Sequence, residues 1–179
     1  VDDWAYNIEY LTIPADRQSL LDPQLRQEDT EKIEKVLAQF SRVPLWRGAF
    51  IVPAPGEITS PYGSARSYNG QSVSSFHAGI DIGAGTGVPV KAAQAGRVVW
   101  AAGTEVRGNL VILDHGAGVF SVYAHLSAID VQLEQMVQRG EIIGKVGDTG
   151  LVTGPHLHWE IVVGGVPVDP LEWTERTIR

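Results

Sequence analysis

Thr153-Gly-Pro-His-Leu-His-Trp-Glu160, continued by Ile161-Val162-Val163, is the stretch whose reading decides the fold. From Leu157 onward it alternates as a strand does: Leu157, Trp159, Ile161 and Val163 share one face, and His158, Glu160 and Val162 share the other. One face is made for burial and the other for polar work. His156 precedes His158 by two, so if the chain is extended from Pro155 both imidazoles project from one side, with Cβ atoms roughly 6 to 7 Å apart. Both rings can then reach one ion at Zn–N distances of about 2.0 to 2.1 Å, and spacing alone does not say whether both do.

The same texture runs outward from this strand. From Phe50 onward, short Val/Ile-rich runs are separated by Gly, Pro, Asn and Asp. Candidate strands are Val88 to Ala93, Arg97 to Ala101, Asn109 to Asp114, Val119 to Leu126, Glu141 to Val146 and Leu157 to Val163. Turns fall at Ala102-Gly103, His115 to Gly118, Gly147 to Gly150 and Gly164-Gly165, the last a hairpin signal. This predicts a mainly β fold of antiparallel sheets, sandwich-like, over residues 49–175, with a tail at 176–179.

Residues 1–48 read differently. Trp4, Tyr6, Ile8 and Tyr10 alternate as a strand, and so early a strand needs a partner, which suggests a remnant of, or a linker from, a preceding domain. Asp22-Pro23 is a helix entry, an N-cap followed by Pro at the first helical position. Ile33, Val36, Leu37 and Phe40 then give an apolar stripe, predicting one N-terminal helix over about 23–40. Its charged face (Arg26, Glu28, Asp29, Glu31, Lys32, Glu34, Lys35) is expected to be solvated.

Composition narrows the chemistry. The 179 residues carry a formal net charge of -7 with no block of Lys and Arg, so the electrostatic footprint of a nucleic-acid binder is missing. No apolar run is long enough to span a bilayer as a helix. With no cysteine, any metal must be held by His, Asp, Glu or water, a donor set that suits zinc.

The second cluster is Phe76-His-Ala-Gly-Ile-Asp-Ile-Gly83, where an even separation places His77 and Asp81 on one face of an extended chain. They supply one nitrogen and one oxygen ligand, which His158 or His156 can complete to three, leaving an open fourth position. His125 ends another strand and, by alternation, shares its face with Tyr123 and Ser121. His115 has only turn context and is given no role. Glu160 shares the His158 face, where it can act as a base or orient an imidazole.

Taken together, HAGID, YAHL and GPHLHWE resemble the lysostaphin-like, or LytM-type, zinc endopeptidases of bacterial cell walls. The resemblance spans about Phe50 to Trp173 and includes the framing segments ITSPYG, GNLVILDHG and VQRGEIIGKVGDTG. It implies one zinc ion held by His77, Asp81 and His158, with His125 and His156 as catalytic histidines. It also implies a peptidoglycan peptide as substrate, in a cross-bridge or a stem-peptide crosslink, and therefore action outside the cytoplasm. Family members carry a histidine at the position of His115 without a zinc role, and Glu160 is not usually the base. Tyr68 is a candidate for the aromatic residue that helps stabilise the transition state.

Two other readings compete. A non-catalytic wall-binding or hydrolase-activating module of the same fold is expected to have lost ligands or catalytic histidines, and here all five positions are filled. A biotinyl- or lipoyl-type β-sandwich, suggested by VQRGEIIGKVGDTG, lacks a central hairpin lysine and leaves the histidines unexplained.

Overall fold

The computed structural model describes residues 7–175. The chain runs through β1 (Ile8–Leu11), a 3-10 turn (Ala15–Leu21), α1 (Pro23–Leu37), β2 (Glu57–Ser60), β3 (Ala65–Tyr68), β4 (Ser75–Phe76), β5 (Ile80–Gly83) and β6 (Pro89–Lys91). It continues through β7 (Gly96–Thr104), β8 (Gly108–Gly116), β9 (Val119–Leu126), β10 (Ala128–Ile129), β11 (Met136–Val137), β12 (Ile142–Lys145), β13 (Leu157–Val163), β14 (Val166–Val168) and α2 (Pro170–Glu175). The mainly β, antiparallel reading holds, with a short C-terminal helix added. β7 runs straight through Ala102-Gly103, so the turn expected there lies at residues 105–107.

The large sheet has the order β11-β7-β8-β9-β13-β5-β2, with β14 also paired to β13. β6, β12 and β10 form a second antiparallel sheet. Between them lies the main core, which takes Val90 and Ile143 from the small sheet and Leu113, Tyr123, Leu157, Trp159 and Ile161 from the large one. The predicted rear face of β13 is thus buried at Leu157, Trp159 and Ile161 and half-buried at Val163, and each aliphatic side chain fully buried contributes about 1.5 to 3 kcal/mol over an exposed one.

The opposite face of the large sheet is covered in part by α1. Ile33, with Val36 and Leu37, packs on Leu110, Ile112, Phe120, Val122 and Val162. The helix opens as predicted, with the Asp22 carboxylate accepting from the Gln24 N–H at 2.8 Å. It ends at Leu37, short of the predicted residue 40, and Phe40 meets Phe120 edge-on from the segment beyond.

Not all of its charged face is solvated, which corrects the expectation from sequence. Asp29 is only 2% exposed and accepts the backbone N–H of Val106 at 2.7 Å, so α1 grips the turn that carries Arg107. The Arg26 guanidinium lies over the Tyr68 ring, 5.4 Å from its centroid.

β1 pairs in parallel with β3, with Glu9 opposite Arg66, in a third small sheet that β4 completes. The partner of the early strand is therefore the β3 edge rather than the large sheet. Trp4 and Tyr6, where the strand was expected to begin, and the tail at 176–179 lie outside the described residues. Among the described residues no helix is long and apolar enough to cross a membrane.

Candidate active site

β13 and β5 are antiparallel neighbours in which His158 stands opposite Asp81. Their side chains meet: His158 Nδ1 lies 2.7 Å from Asp81 Oδ1. His77 arrives from the bend between β4 and β5, its Nε2 3.0 Å from Asp81 Oδ1 and 2.9 Å from His158 Nδ1. Gly79 allows this bend, since a Cβ there would stand 2.2 Å from the Trp159 carbonyl oxygen. All three residues are buried.

The outer nitrogens decide what the inner ones can be. His77 Nδ1 is 3.0 Å from the Pro61 carbonyl oxygen, which only accepts, so Nδ1 carries the proton. His158 Nε2 donates in the same way to Glu160 Oε1 at 2.7 Å. When both rings are neutral, two bare nitrogens and one carboxylate oxygen converge within 2.7 to 3.0 Å of one another. Three acceptors at this spacing repel unless a cation lies among them. Two nitrogens and one oxygen, with their outer partners in place, fit a divalent zinc-like ion.

Glu160 is part of that bracing. Burial alone would raise its pKa, yet Arg107 beside it and the His158 N–H hold it well below the usual carboxylate range. It addresses the far side of His158 from Asp81, the position of an orienting group and not of a base. His158 itself is held above its ordinary value, because Asp81 and Glu160 outweigh the opposing effect of burial. Burial would likewise raise Asp81, but the His158 and His77 rings beside it hold it far below the carboxylate range.

His125 and His156 stand beside this trio. Their ring centroids are 5.0 Å apart, and His125 is 5.9 Å from His158. His125 Nδ1 donates to the Thr149 carbonyl at 2.8 Å and His156 Nδ1 to the Gly154 carbonyl at 2.9 Å, which leaves Nε2 bare on both rings. His156 Nε2 lies 3.6 Å from Asp81 Oδ1. Burial lowers both pKa values, with neighbouring histidines adding to the effect, so both rings are neutral at pH 7.

The route by which His125 arrives differs from the sequence reading. Tyr123 and Ser121, whose face it was expected to share, are fully buried on the core side, opposite Trp159 and Ile161. A β-bulge intervenes. Asn109 pairs with Leu126 and Val111 with Tyr123, so Ala124 and His125 together oppose Leu110. His125 adopts φ 62°, a left-handed conformation uncommon for a residue with a side chain. Bulge and φ together turn the ring to the His158 side, the re-aiming that bulges beside reactive sites produce.

His115 belongs to β8 and is fully buried, which corrects its placement in a turn. It donates to the Ala95 carbonyl at 2.7 Å and contacts Ser121, and burial lowers its pKa to about 4. It takes no part in the cluster.

Two adjoining cavities, of about 160 and 380 Å³, share Arg66, Tyr68, His125 and Leu151 as walls. Tyr68, at the end of β3, thus lines both cavities. Sequence reasoning missed Arg66, Ser60 and Arg107. The Arg66 Nη2 donates to Asp81 Oδ2 at 2.6 Å. Only the isolated basic residues of GSARSY and TEVRGN hinted at Arg66 and Arg107, and nothing in ITSPYG singled out Ser60.

A mainly β domain with a buried His-Asp-His cluster in an open cleft defines a metallopeptidase class of site. The model of peptidase family M23 matches residues 75–170, and the chain belongs to this family. It is 43% identical over 114 residues to the DD-carboxypeptidase/endopeptidase Mpg of Neisseria meningitidis serogroup B, covering 64% of this chain and 26% of that protein. Among solved structures it is similar to a zinc containing peptidase from Vibrio cholerae, with TM-score 0.61, 32% identity, and coverage of 74% of this chain and 39% of that one. The catalytic domain of lysostaphin from Staphylococcus simulans matches with TM-score 0.56 and 32% identity, over 68% of this chain and 91% of that one. The chain spans about a quarter of the length of the Neisseria relative.

Proposed function

We propose that the chain is a zinc-dependent endopeptidase that hydrolyses peptide bonds in bacterial peptidoglycan, acting outside the cytoplasm. The convergence of three bare acceptor atoms, each braced from behind, carries the reading. His77 Nε2, Asp81 Oδ1 and His158 Nδ1 hold the ion. Zinc bound there supplies a Lewis acid that polarises a carbonyl and brings the pKa of a water toward about 7.

His125 and His156 then move the proton. Each is neutral, with Nδ1–H tied to a backbone carbonyl, so each presents Nε2 as an acceptor in the cleft. One takes the proton of the attacking water, and the other, once that proton has passed to it, stabilises oxyanion charge or protonates the leaving amine. Residues 49–175 form the catalytic domain, with residues 7–48 bracing it. The similarity to a DD-carboxypeptidase/endopeptidase favours a stem-peptide crosslink over a glycine bridge.

Digestion of purified directly crosslinked and glycine-bridged peptidoglycan, followed by mass analysis, tests the reading. Crosslinked fragments of the direct type are expected to fall to monomers, to persist under chelator, and to fall again when zinc is restored. Stoichiometric zinc with no cleavage of either type would overturn it in favour of a binding module.

A further inference from the structure

The metal-site residues have a partner from outside the family-matched span. Glu9, on β1, points its carboxylate at the back of the site. Its Oε2 accepts the Ser60 hydroxyl proton at 2.8 Å and the Arg66 Nε–H at 3.3 Å. From these two residues, contacts lead to two of the three metal-site residues. Arg66 Nη2 donates to Asp81 Oδ2 at 2.6 Å and to Ser60 Oγ at 2.9 Å. Ser60 Oγ lies 2.9 Å from His77 Nδ1.

We propose that Glu9 is a positioning residue for the metal centre, acting on Asp81 through Arg66 and on His77 through Ser60. The inference rests on the metal-site reading above. Along the first arm, Glu9 fixes the guanidinium so that Arg66 occupies Asp81 Oδ2, leaving Oδ1 to face the two histidines as a one-oxygen ligand. Along the second, a hydroxyl has one proton to give. With that proton committed to Glu9, Ser60 offers His77 only lone pairs. Nδ1 must then be the protonated nitrogen and Nε2 the bare one that faces the ion. Without the Glu9 carboxylate, Ser60 is free to donate to Nδ1 in competition with the Pro61 carbonyl that accepts from it, and the tautomer with a proton on the ion-facing nitrogen becomes more accessible.

The strand that carries Glu9 is also held by its backbone, independently of this side chain. Asn7 and Leu11 carbonyls accept the N–H groups of Ala65 and Asn69, both at 2.9 Å, and the Ile13 N–H donates to the Asn69 side chain at 2.8 Å. Glu9→Gln therefore changes charge and proton supply while leaving β1 docked. Ile8, on the outward face of the same strand and 41% exposed, provides the control.

Zinc affinity by chelator competition, and the visible spectrum of the Co²⁺-substituted protein, test the proposal. Glu9→Gln is expected to bind zinc about 10- to 100-fold more weakly, the usual effect of losing an outer partner of a ligand, and to shift the cobalt bands. Ile8→Ala is expected to match wild type in both. Wild-type affinity and spectrum in Glu9→Gln would overturn the proposal, as would equal weakening in Ile8→Ala, which would assign the effect to strand docking. If His158→Ala also kept full zinc, the metal-site reading itself would fail, an outcome distinct from either.

Discussion

The five site-forming positions divide into two histidine environments that the structure builds in opposite ways. His77 and His158 are braced from behind and point with Asp81 at one place: His158 donates to a carboxylate, and His77, which donates to the Pro61 carbonyl, also abuts a serine that a carboxylate has claimed. His125 and His156 donate to the backbone carbonyls of Thr149 and Gly154, in the chain that leads into β13. A carboxylate partner makes an imidazole a stronger ligand, whereas a neutral carbonyl fixes its tautomer without binding it to a charge. A carboxylate behind the ring, direct for His158 and through Ser60 for His77, thus goes with the proposed ion-holding pair, and a carbonyl alone with the pair proposed to take and give a proton.

This contrast is most sharply probed where the two environments should respond differently. Replacing His125 or His156 by Ala should lower kcat/KM on a crosslinked peptide by about 10²- to 10⁴-fold, the range of a lost general acid or base. Steady-state hydrolysis of a defined crosslinked muropeptide measures it. A smaller effect belongs to the bracing. Glu160→Gln keeps the shape but removes the charge behind His158, and should weaken zinc about 10- to 100-fold in a chelator titration.

The remaining effect is on stability and not on the site's chemistry, and concerns the histidine outside both environments. Burial holds His115 at about 4, against an ordinary value of 6.5 in the unfolded chain. Between those values the unfolded chain takes up a proton that the folded one refuses. The contribution of His115 is therefore complete above pH 6.5 and declines as pH falls, by about 3 kcal/mol near pH 4. Urea unfolding across this window should show a shallower pH dependence in His115→Gln than in wild type.

The legible parts of the site were those that obey a period. Alternation put Leu157, Trp159 and Ile161 in the core and His156 and His158 on the side of His125, whereas His77 reaches Asp81 through the bend at Ala78-Gly79 and not along the extended chain expected for HAGID. His125 broke the period, because a bulge adds a residue that no pattern in YAHL announces. The bracing groups were illegible for another reason. Arg66 and Glu9 lie 57 residues apart, Arg107 and Glu160 lie 53, and Asp29 reaches Val106 across 77. Such partners are chosen by the folded topology, and each looks like an ordinary surface charge in its own segment. For the same reason α1 read as solvated on a face from which Asp29 is buried.

The separation between an ion held by His77, Asp81 and His158 and a proton moved by His125 and His156 is tested most directly by zinc content. Purified His156→Ala and His158→Ala, each confirmed as folded by its unfolding transition, should be compared by metal analysis. His156→Ala is predicted to retain about one zinc per chain while failing to cleave, and His158→Ala to lose both zinc and cleavage. Loss of stoichiometric zinc from His156→Ala, or its retention by His158→Ala, would contradict the assignment.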